Sequence, residues 1–600
     1  MYPTLGQVII FKEYNCEDIL KGKVFRVYKK NSKYKNIKQL ELYDGSKVEK
    51  DFENEIEFWE PVSVAEIQDG DVDSLTLGDE VDTAYPVKLV PKREYKSVEV
   101  QNAMRVEIEK FKAFDAYEEV EDKGQNSIPI RWVVSRKPND GKDQPVKARL
   151  CMRGDLEQGK GSIRADSPTA GKDTLKLAML VAANEGFAIK SIDIKSAYLQ
   201  GCDLQRDIFV RPPPEANSNK LWRLKKAAYG IMDGGRLFYI RLQEELKKLG
   251  LHEVHSDGAL FTYVVNGKLH GLIASHVDDL LLAGDDLFKR EVEDKLTQHF
   301  KISKMEENVF NYCGCRIQRY DDGKIVLDQH DYTEAIEEIS SVEGELEQKL
   351  SPQEQRLLRG KIGEILWISL LTRPDLAFEV NKLASDVPTA TMKSIRDVNN
   401  LIRRAKNKKN VITFSKLGPL CDLVVKLYTD ASFNNRDGQI RSTEGRVILV
   451  ENSGSGKTAV LSWKTKKIPR ICRSVKAAET RSLDDGLDDA IHIARILKEV
   501  YTGSIDLKAP EQLPVVAMID SKSLWENLYN TRQCEEKLLR NTIAGIKESM
   551  EVGLVSAIEW VSTDNQLADC LTKKGTVLKS DWLLEVAETN RIERALGRIY

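Results

Sequence analysis

LIASHVDDLLLAG, residues Leu272–Gly284, is the stretch on which the fold turns. An apolar run leads into two adjacent aspartates, Asp278 and Asp279, and a second apolar run leads away. That pattern predicts a β-hairpin with buried strands and a charged tip. Carboxylates left unpaired beside buried strands are costly, and a divalent cation is the simplest partner for them. Upstream, SIDIKSAYLQG (191–201) sets Asp193 near the end of another expected strand. Neighbours on a strand point to opposite faces. Asp278 is therefore expected to share two metal ions with Asp193, while Asp279 turns away. Two hard cations on carboxylates and phosphate oxygens are the apparatus of phosphoryl or nucleotidyl transfer. A lone acidic pair is more often a plain surface turn; the flanking apolar runs and the upstream partner set this one apart.

Working outward, 600 residues amount to about four domains at the usual domain size. Lys plus Arg total 91 and Asp plus Glu 94, a net charge of -3. As an average that argues against a nucleic-acid binder, but the charge is segregated. Residues 21–38 carry eight cations, no acid and three interleaved aromatics, Phe25, Tyr28 and Tyr34. Residues 62–87 carry seven acids and no base, as expected of a linker or solvated loop. Further cations gather in LIRRAKNKKN at 401–410 and between Gly456 and Ala478, where Trp463 lies among seven of them. Both runs suit contacts to a phosphate backbone. Nine scattered cysteines point to a reduced, intracellular protein, and no long apolar run predicts a membrane span. SGSGKT (453–458) is not a phosphate loop, because Glu451 stands where its first glycine belongs.

A second carboxylate set follows. Asp430 ends the apolar run from Val424, Glu479 lies in the amphipathic VKAAETRSLDDGLDDAIHIARIL (475–497), and Asp520 ends LPVVAMID (513–520). Asp569, with Asp564 as its alternative, lies in STDNQLADCLTKKG (562–575). Strand-end aspartates, a helix-borne glutamate and a late aspartate make a four-carboxylate site that would bind two metals and activate water.

In order and spacing SIDIKSAYLQG, LKKAAYGIMDGGRLFY (224–239), LIASHVDDLLLAG and LTRPDLAFEVNKLAS (371–385) resemble the reverse transcriptase of copia-type long-terminal-repeat retrotransposons. So do PIRWVVSRK (129–137) and VKARLCMRG (146–154). The later carboxylates resemble the ribonuclease H of the same elements. The resemblance implies a multidomain α+β and α/β chain. It would comprise fingers and palm over 101–345, a thumb or connection over 346–420, and a ribonuclease H-like α/β domain over 421–590. Asp193 and Asp278 then match the palm's metal ligands, Asp279 the second aspartate of the catalytic box, and Asp430, Glu479, Asp520 and Asp569 the hydrolytic set. Tyr198 matches the aromatic gate that crowds a ribose 2′-hydroxyl. Lys147 and Arg149 would grip the triphosphate, Gly230 belongs to the motif around Tyr229, and His276 replaces the usual tyrosine near the primer end. Asp233 replaces a glutamine, putting an acid close to the nucleotide. No histidine matches the one usually found near the fourth carboxylate.

The basic N-terminal stretch, 1–61, resembles the small SH3-like β-barrel that ends a retroelement integrase, followed by an acidic linker over 62–100. The implied cofactor is magnesium, two ions per active site, with manganese as a substitute. The implied partners are an RNA template, a DNA primer, RNA–DNA hybrid, deoxynucleoside triphosphates and other retroelement polyprotein products, with no membrane. The expected location is a cytoplasmic virus-like particle, with the nucleus as an alternative. A decayed or co-opted copy that merely binds nucleic acid would be expected to have lost carboxylates, and none is lost.

Overall fold

The apolar runs flanking Asp278 and Asp279 are the two central strands of a six-stranded antiparallel sheet in the computed structural model. Its order is His252–Val254, Asp257–Val265, Lys268–His276, Asp279–Gly284, Ala188–Ile194, Ile302–Glu307. The structure describes residues 88–136, 146–340, 344–433, 441–504, 512–531 and 534–592, and five short strands nearer the N-terminus. Strand alternation sends Ile192, Ile194, Leu280 and Leu282 to one face, against helix Gly234–Lys248. It sends Ile189, Leu281 and Ala283 to the other, against helix Lys172–Glu185. That helix is buried from Thr174 to Asn184, because a further sheet covers its far side.

The chain divides into two compact units, Met1–Val81 and Asp82–Tyr600. In the first, Val8–Phe11 pairs antiparallel with Ile56–Trp59, and Phe25–Val27, Leu40–Leu42 and Lys47–Val48 form a three-stranded sheet. The acidic 62–87 stretch lies outside the described residues. The linker expected to run to residue 100 ends earlier. Lys88–Leu89 pairs with Ile130–Arg136, which pairs with Val146–Met152. Val90, Val100, Met104, Val134 and Ala148 close a small core there. The apolar residues around Lys88 give this segment something to bury, which a charge count overlooks.

Two expected boundaries also fail to divide the packing. Ile325–Asp328 pairs with Ile412–Phe414, so one four-stranded sheet, Val309–Tyr312, Cys315–Arg319, Ile325–Asp328, Ile412–Phe414, spans the boundary drawn at 345/346. Between those last two strands, helices Pro352–Leu371, Ala377–Asp386 and Met392–Asn407 form a separate core around Leu358, Ile365 and Ile402. A reciprocal Ser351–Glu354 cap starts the first of them.

The C-terminal sheet has the order Thr458–Lys467, Thr443–Asn452, Leu423–Ser432, Val515–Ile519, Ala557–Trp560, with three antiparallel strands followed by two parallel ones. Helix Val475–Thr502 packs on it. One continuous hydrophobic core runs from helix Lys172–Glu185 and the six-stranded sheet into this α/β layer. The packing does not divide at 420/421; the two sheets share an interior.

Candidate active sites

Register decides the first site. Asp193 lies directly opposite Asp279, and Asp279 opposite His276 on the other side. Residues directly opposed in an antiparallel pair share a face. Asp279 is therefore not turned away from Asp193 as expected. Alternation fails because Val277 and Asp278 form the connecting turn, with Val277 at φ 56, a strained value for a β-branched residue. Asp278 sits in that turn, and its carbonyl accepts the Ile194 amide at 2.9 Å. All three aspartates are half-buried and gathered where the strands end. Ser303, on the neighbouring strand, donates its hydroxyl to Asp193 Oδ2, a partner that nothing in the sequence signals. His276 Nδ1 lies 3.3 Å from the Ala170 carbonyl, and burial makes its ring less basic than a free imidazole.

Around these acids the chain is held by close backbone contact. The Met152 amide donates to the Tyr229 carbonyl at 2.7 Å, and Gly230 is left-handed at φ 85. A Cβ on Gly230 would collide with the Met152 carbonyl oxygen. This contact joins the strand that carries Lys147 and Arg149 to the loop before helix Gly234–Lys248. Arg149 lies 6.0 Å from the centre of the Tyr229 ring, which packs edge-on against Tyr198 at 5.2 Å. Lys147 and Arg149 are half-buried and share a face by strand alternation.

Asp233 does not add a bare charge here. It is buried, and Arg206 donates to both its oxygens at 2.6 and 2.9 Å while also donating to Glu157 at 3.1 Å. These hydrogen bonds raise the guanidinium's affinity for its proton further, Glu157 contributing most. Two acids thus share one permanent cation.

At the second site a strand, a helix and a parallel strand converge. Gly486 lets helix Val475–Thr502 lie close on strand Leu423–Ser432; a Cβ there would come within 2.7 Å of Thr429. This close approach brings Glu479 to Asp430, and Asp520 follows the adjacent parallel strand. Oxygen atoms of Asp430, Glu479 and Asp520 all lie within 4.8 Å of one another. Asp430 is 1% and Glu479 6% exposed. Burial pushes both carboxyls above their ordinary range, and for Glu479 the neighbouring Asp430 and Asp520 add to the rise. Oxygen-only donors of this kind fit a hard divalent cation.

Asp569 is not among the converging ligands. It is buried, but its oxygens are taken by Lys573 and by Lys579, the latter at 3.0 Å. Lys573 also lies 3.6 Å from Asp430 Oδ2, to which the Thr572 hydroxyl donates. The four-residue spacing from Asp569 to Lys573 was the one available signal of this pairing.

Both basic runs differ from expectation. Arg403 binds Glu338, Arg404 binds Glu379, Lys406 donates to the Glu334 carbonyl, Lys408 binds Asp581, and Lys409 lies 3.9 Å from Glu334. Lys466 binds Asp485 at 2.8 Å, Lys464 lies 3.7 Å from Asp489, and Arg470 and Arg473 stay exposed. Trp463 is no stacking platform. It is 1% exposed, donates to the Ser369 carbonyl at 2.7 Å, and is capped by the fully buried Lys176, whose Nζ is 3.3 Å from the ring centre.

Residues 114–346 match the family model described as reverse transcriptase (RNA-dependent DNA polymerase). Over these residues the chain is similar to reverse transcriptases, and the curated relatives it matches are Pol polyproteins of transposons. The Pol polyprotein from transposon RE1 of Arabidopsis thaliana is 25% identical over 473 residues, 74% of this chain and 30% of the relative. The Ty1-MR1 Gag-Pol polyprotein of Saccharomyces cerevisiae is 25% identical over 528 residues, 80% of this chain and 28% of the relative. The chain thus spans about a third of the length of these relatives. A solved structure of the foamy viral protease–reverse transcriptase with double-stranded DNA aligns at a TM-score of 0.46 and 11% identity, covering 80% of this chain and 73% of that one. The matched residues include Asp193, Asp278 and Asp279; Asp430, Glu479 and Asp520 lie C-terminal to them.

Proposed function

We propose that this chain is an RNA-directed DNA polymerase that extends a DNA primer along an RNA template, and that its C-terminal site hydrolyses the RNA strand of the resulting hybrid. One observation carries the polymerase reading. Within the residues that match the reverse transcriptase model, Asp193 and Asp279 face each other across paired strands, with Asp278 in the turn that leads into Asp279. On this reading the six-stranded sheet is the palm, the sheet over 88–152 belongs to the fingers, and the helices over 352–407 form a thumb. The N-terminal unit is an SH3-like remnant of an integrase.

Magnesium, or manganese in its place, would be held by Asp193, Asp278 and Asp279 at one site and by Asp430, Glu479 and Asp520 at the other, and would offset charge at the phosphorus and lower the pKa of the attacking oxygen. The protein's own groups do the rest. Tyr198, braced by Tyr229, crowds the sugar of a deoxynucleoside triphosphate. Lys147 and Arg149 address its phosphates. His276 lies beside the primer end, and the Gly230–Met152 contact ties the strand of Lys147 and Arg149 to the loop that carries Tyr229. Arg206 keeps Asp233 from repelling the incoming triphosphate. A virus-like particle in the cytoplasm is the setting that fits a copia-type Pol, with other polyprotein products as neighbours.

Extension of oligo(dT) on poly(A) with magnesium tests this. The purified chain incorporates nucleotide and Asp278→Asn does not. No incorporation by the unaltered chain would sink the proposal.

A further inference from the structure

We propose that the C-terminal site is built for one divalent cation, the Lys573 ammonium occupying the second cation position between Asp430 and Asp569. This rests on the hydrolytic reading of the site, and it replaces the two-ion, four-carboxylate arrangement expected from the sequence.

The geometry divides the four acids into two groups. Asp430, Glu479 and Asp520 present oxygens to a common point. Asp569 presents both of its oxygens to ammonium groups, one to Lys573 and the other to Lys579 at 3.0 Å. Lys579 is itself anchored by donating to the Thr563 carbonyl at 2.6 Å. Both oxygens of this carboxylate are thus engaged by ammonium groups, and it stands outside the converging three.

Lys573 links the groups. Its Nζ contacts Asp569 Oδ1 and lies 3.6 Å from Asp430 Oδ2. The Thr572 hydroxyl donates to the same Asp430 oxygen and lies 3.1 Å from the Asp569 carbonyl, so one short segment orients both acids. Lys573 follows the Asp569–Leu571 turn, four residues after its carboxylate partner, which fixes the pairing locally.

Charge supports the same count. Four carboxylates with two ammoniums leave two negative charges, those that one divalent cation neutralises. A second divalent ion would have to displace Lys573 or sit against it, and like charges at contact distance in a partly buried site repel strongly. Lys573 is a positioning group in this scheme. It stands 3.6 Å from Asp430 Oδ2 and supplies fixed positive charge beside that ligand, away from Glu479 and Asp520.

The test counts ions. Full-length chain carrying Asp193→Asn and Asp278→Asn, so that the polymerase site contributes none, is titrated with Mn2+ without nucleic acid, and free ion is read by electron paramagnetic resonance. One Mn2+ per chain is expected, lost on adding Glu479→Gln. Adding Lys573→Ala or Lys573→Gln raises the count to two, Lys573→Arg keeps it at one, and Lys573→Ala with Asp569→Asn returns it to one. Two ions bound while Lys573 is present would overturn the proposal. So would a single ion in a folded Lys573→Ala chain. If no Glu479-dependent Mn2+ binds, both the proposal and the hydrolytic reading fall. The expected counts without cleavage of a labelled hybrid uphold the proposal and overturn only that reading.

Discussion

At the tip of the hairpin around Val277 three half-buried aspartates stand on and beside a strained turn, whereas in the C-terminal sheet Asp430 and Glu479 are 1% and 6% exposed. The first site is open, and the phosphates of its substrate can complete it. The second is assembled by the fold, which forces carboxylates together and pushes Asp430 and Glu479 above the ordinary carboxylate range. Close carboxylates in a dry place are tolerated when a cation offsets them. The contrast lies in how negative charge is met. Near the first site Arg206 neutralises the buried Asp233 from outside the aspartate group. At the second site Lys573 reaches into the carboxylate group itself.

The largest expected effect follows from treating the sites as chemically independent. Asp278→Asn should lower primer extension about a thousandfold, ~4 kcal/mol of barrier, while hybrid cleavage continues. Asp520→Asn should do the reverse. Steady-state extension and cleavage of a labelled hybrid, measured on both variants, check this; loss of both activities in either variant breaks the division into two sites.

Independence of chemistry does not mean independence of folding. Trp463 belongs to the C-terminal sheet, yet its ring packs under Lys176 of helix Lys172–Glu185 and its indole donates to Ser369 of helix Pro352–Leu371. Trp463→Ala leaves a hole in this junction and should cost about 3 kcal/mol. Calorimetry should show the two sheets, which are expected to unfold together in the unaltered chain, unfolding in separate transitions as they uncouple. An undivided transition at unchanged temperature would mean the junction carries no coupling.

This junction also shows what the sequence could and could not reveal. Asp193, Asp278, Asp430, Glu479 and Asp520 were legible because chemistry restricts their type, and flanking apolar runs locate strand ends. The face taken by Asp279 was not, because one left-handed residue, Val277, resets alternation at the turn. Nor were the ion pairs of the basic runs. A cation's sequence neighbours do not tell which distant acid it meets, as Lys408 meets Asp581. Trp463 among lysines looked like a surface ring because composition cannot register that another sheet's helix covers it.

Arg206→Ala asks whether its salt bridges matter to the first site. Removing the guanidinium leaves Asp233 and Glu157 facing each other, and with Arg206 partly exposed the cost should be about 2 kcal/mol in urea unfolding. The Michaelis constant for the triphosphate should rise in this variant with little change in turnover. Asp233→Asn on the same background should lower it again. If Arg206→Ala leaves that constant unchanged, Asp233 is too remote to affect the nucleotide and its neutralisation is purely structural.

The smallest effect is a pH slope at the junction between the regions. Lys176 is fully buried, and burial above all pushes its ammonium well below the ordinary lysine value; Lys172 acts the same way and Asp173 opposes. The Trp463 face favours the charged form, but less than water would. The folded chain thus holds this proton less tightly than the unfolded chain does. Stability from this residue is lowest at low pH and rises as pH climbs from the depressed value towards about 10.4, by at most ~1.4 kcal/mol per pH unit. Lys176→Met fills the same space without a proton and should abolish the rise. Thermal unfolding of both chains from pH 7 to 9 measures the difference. A Lys176→Met chain that keeps the wild-type slope would place the titrating group elsewhere, and the two regions would then meet across a junction whose packing matters and whose charge does not.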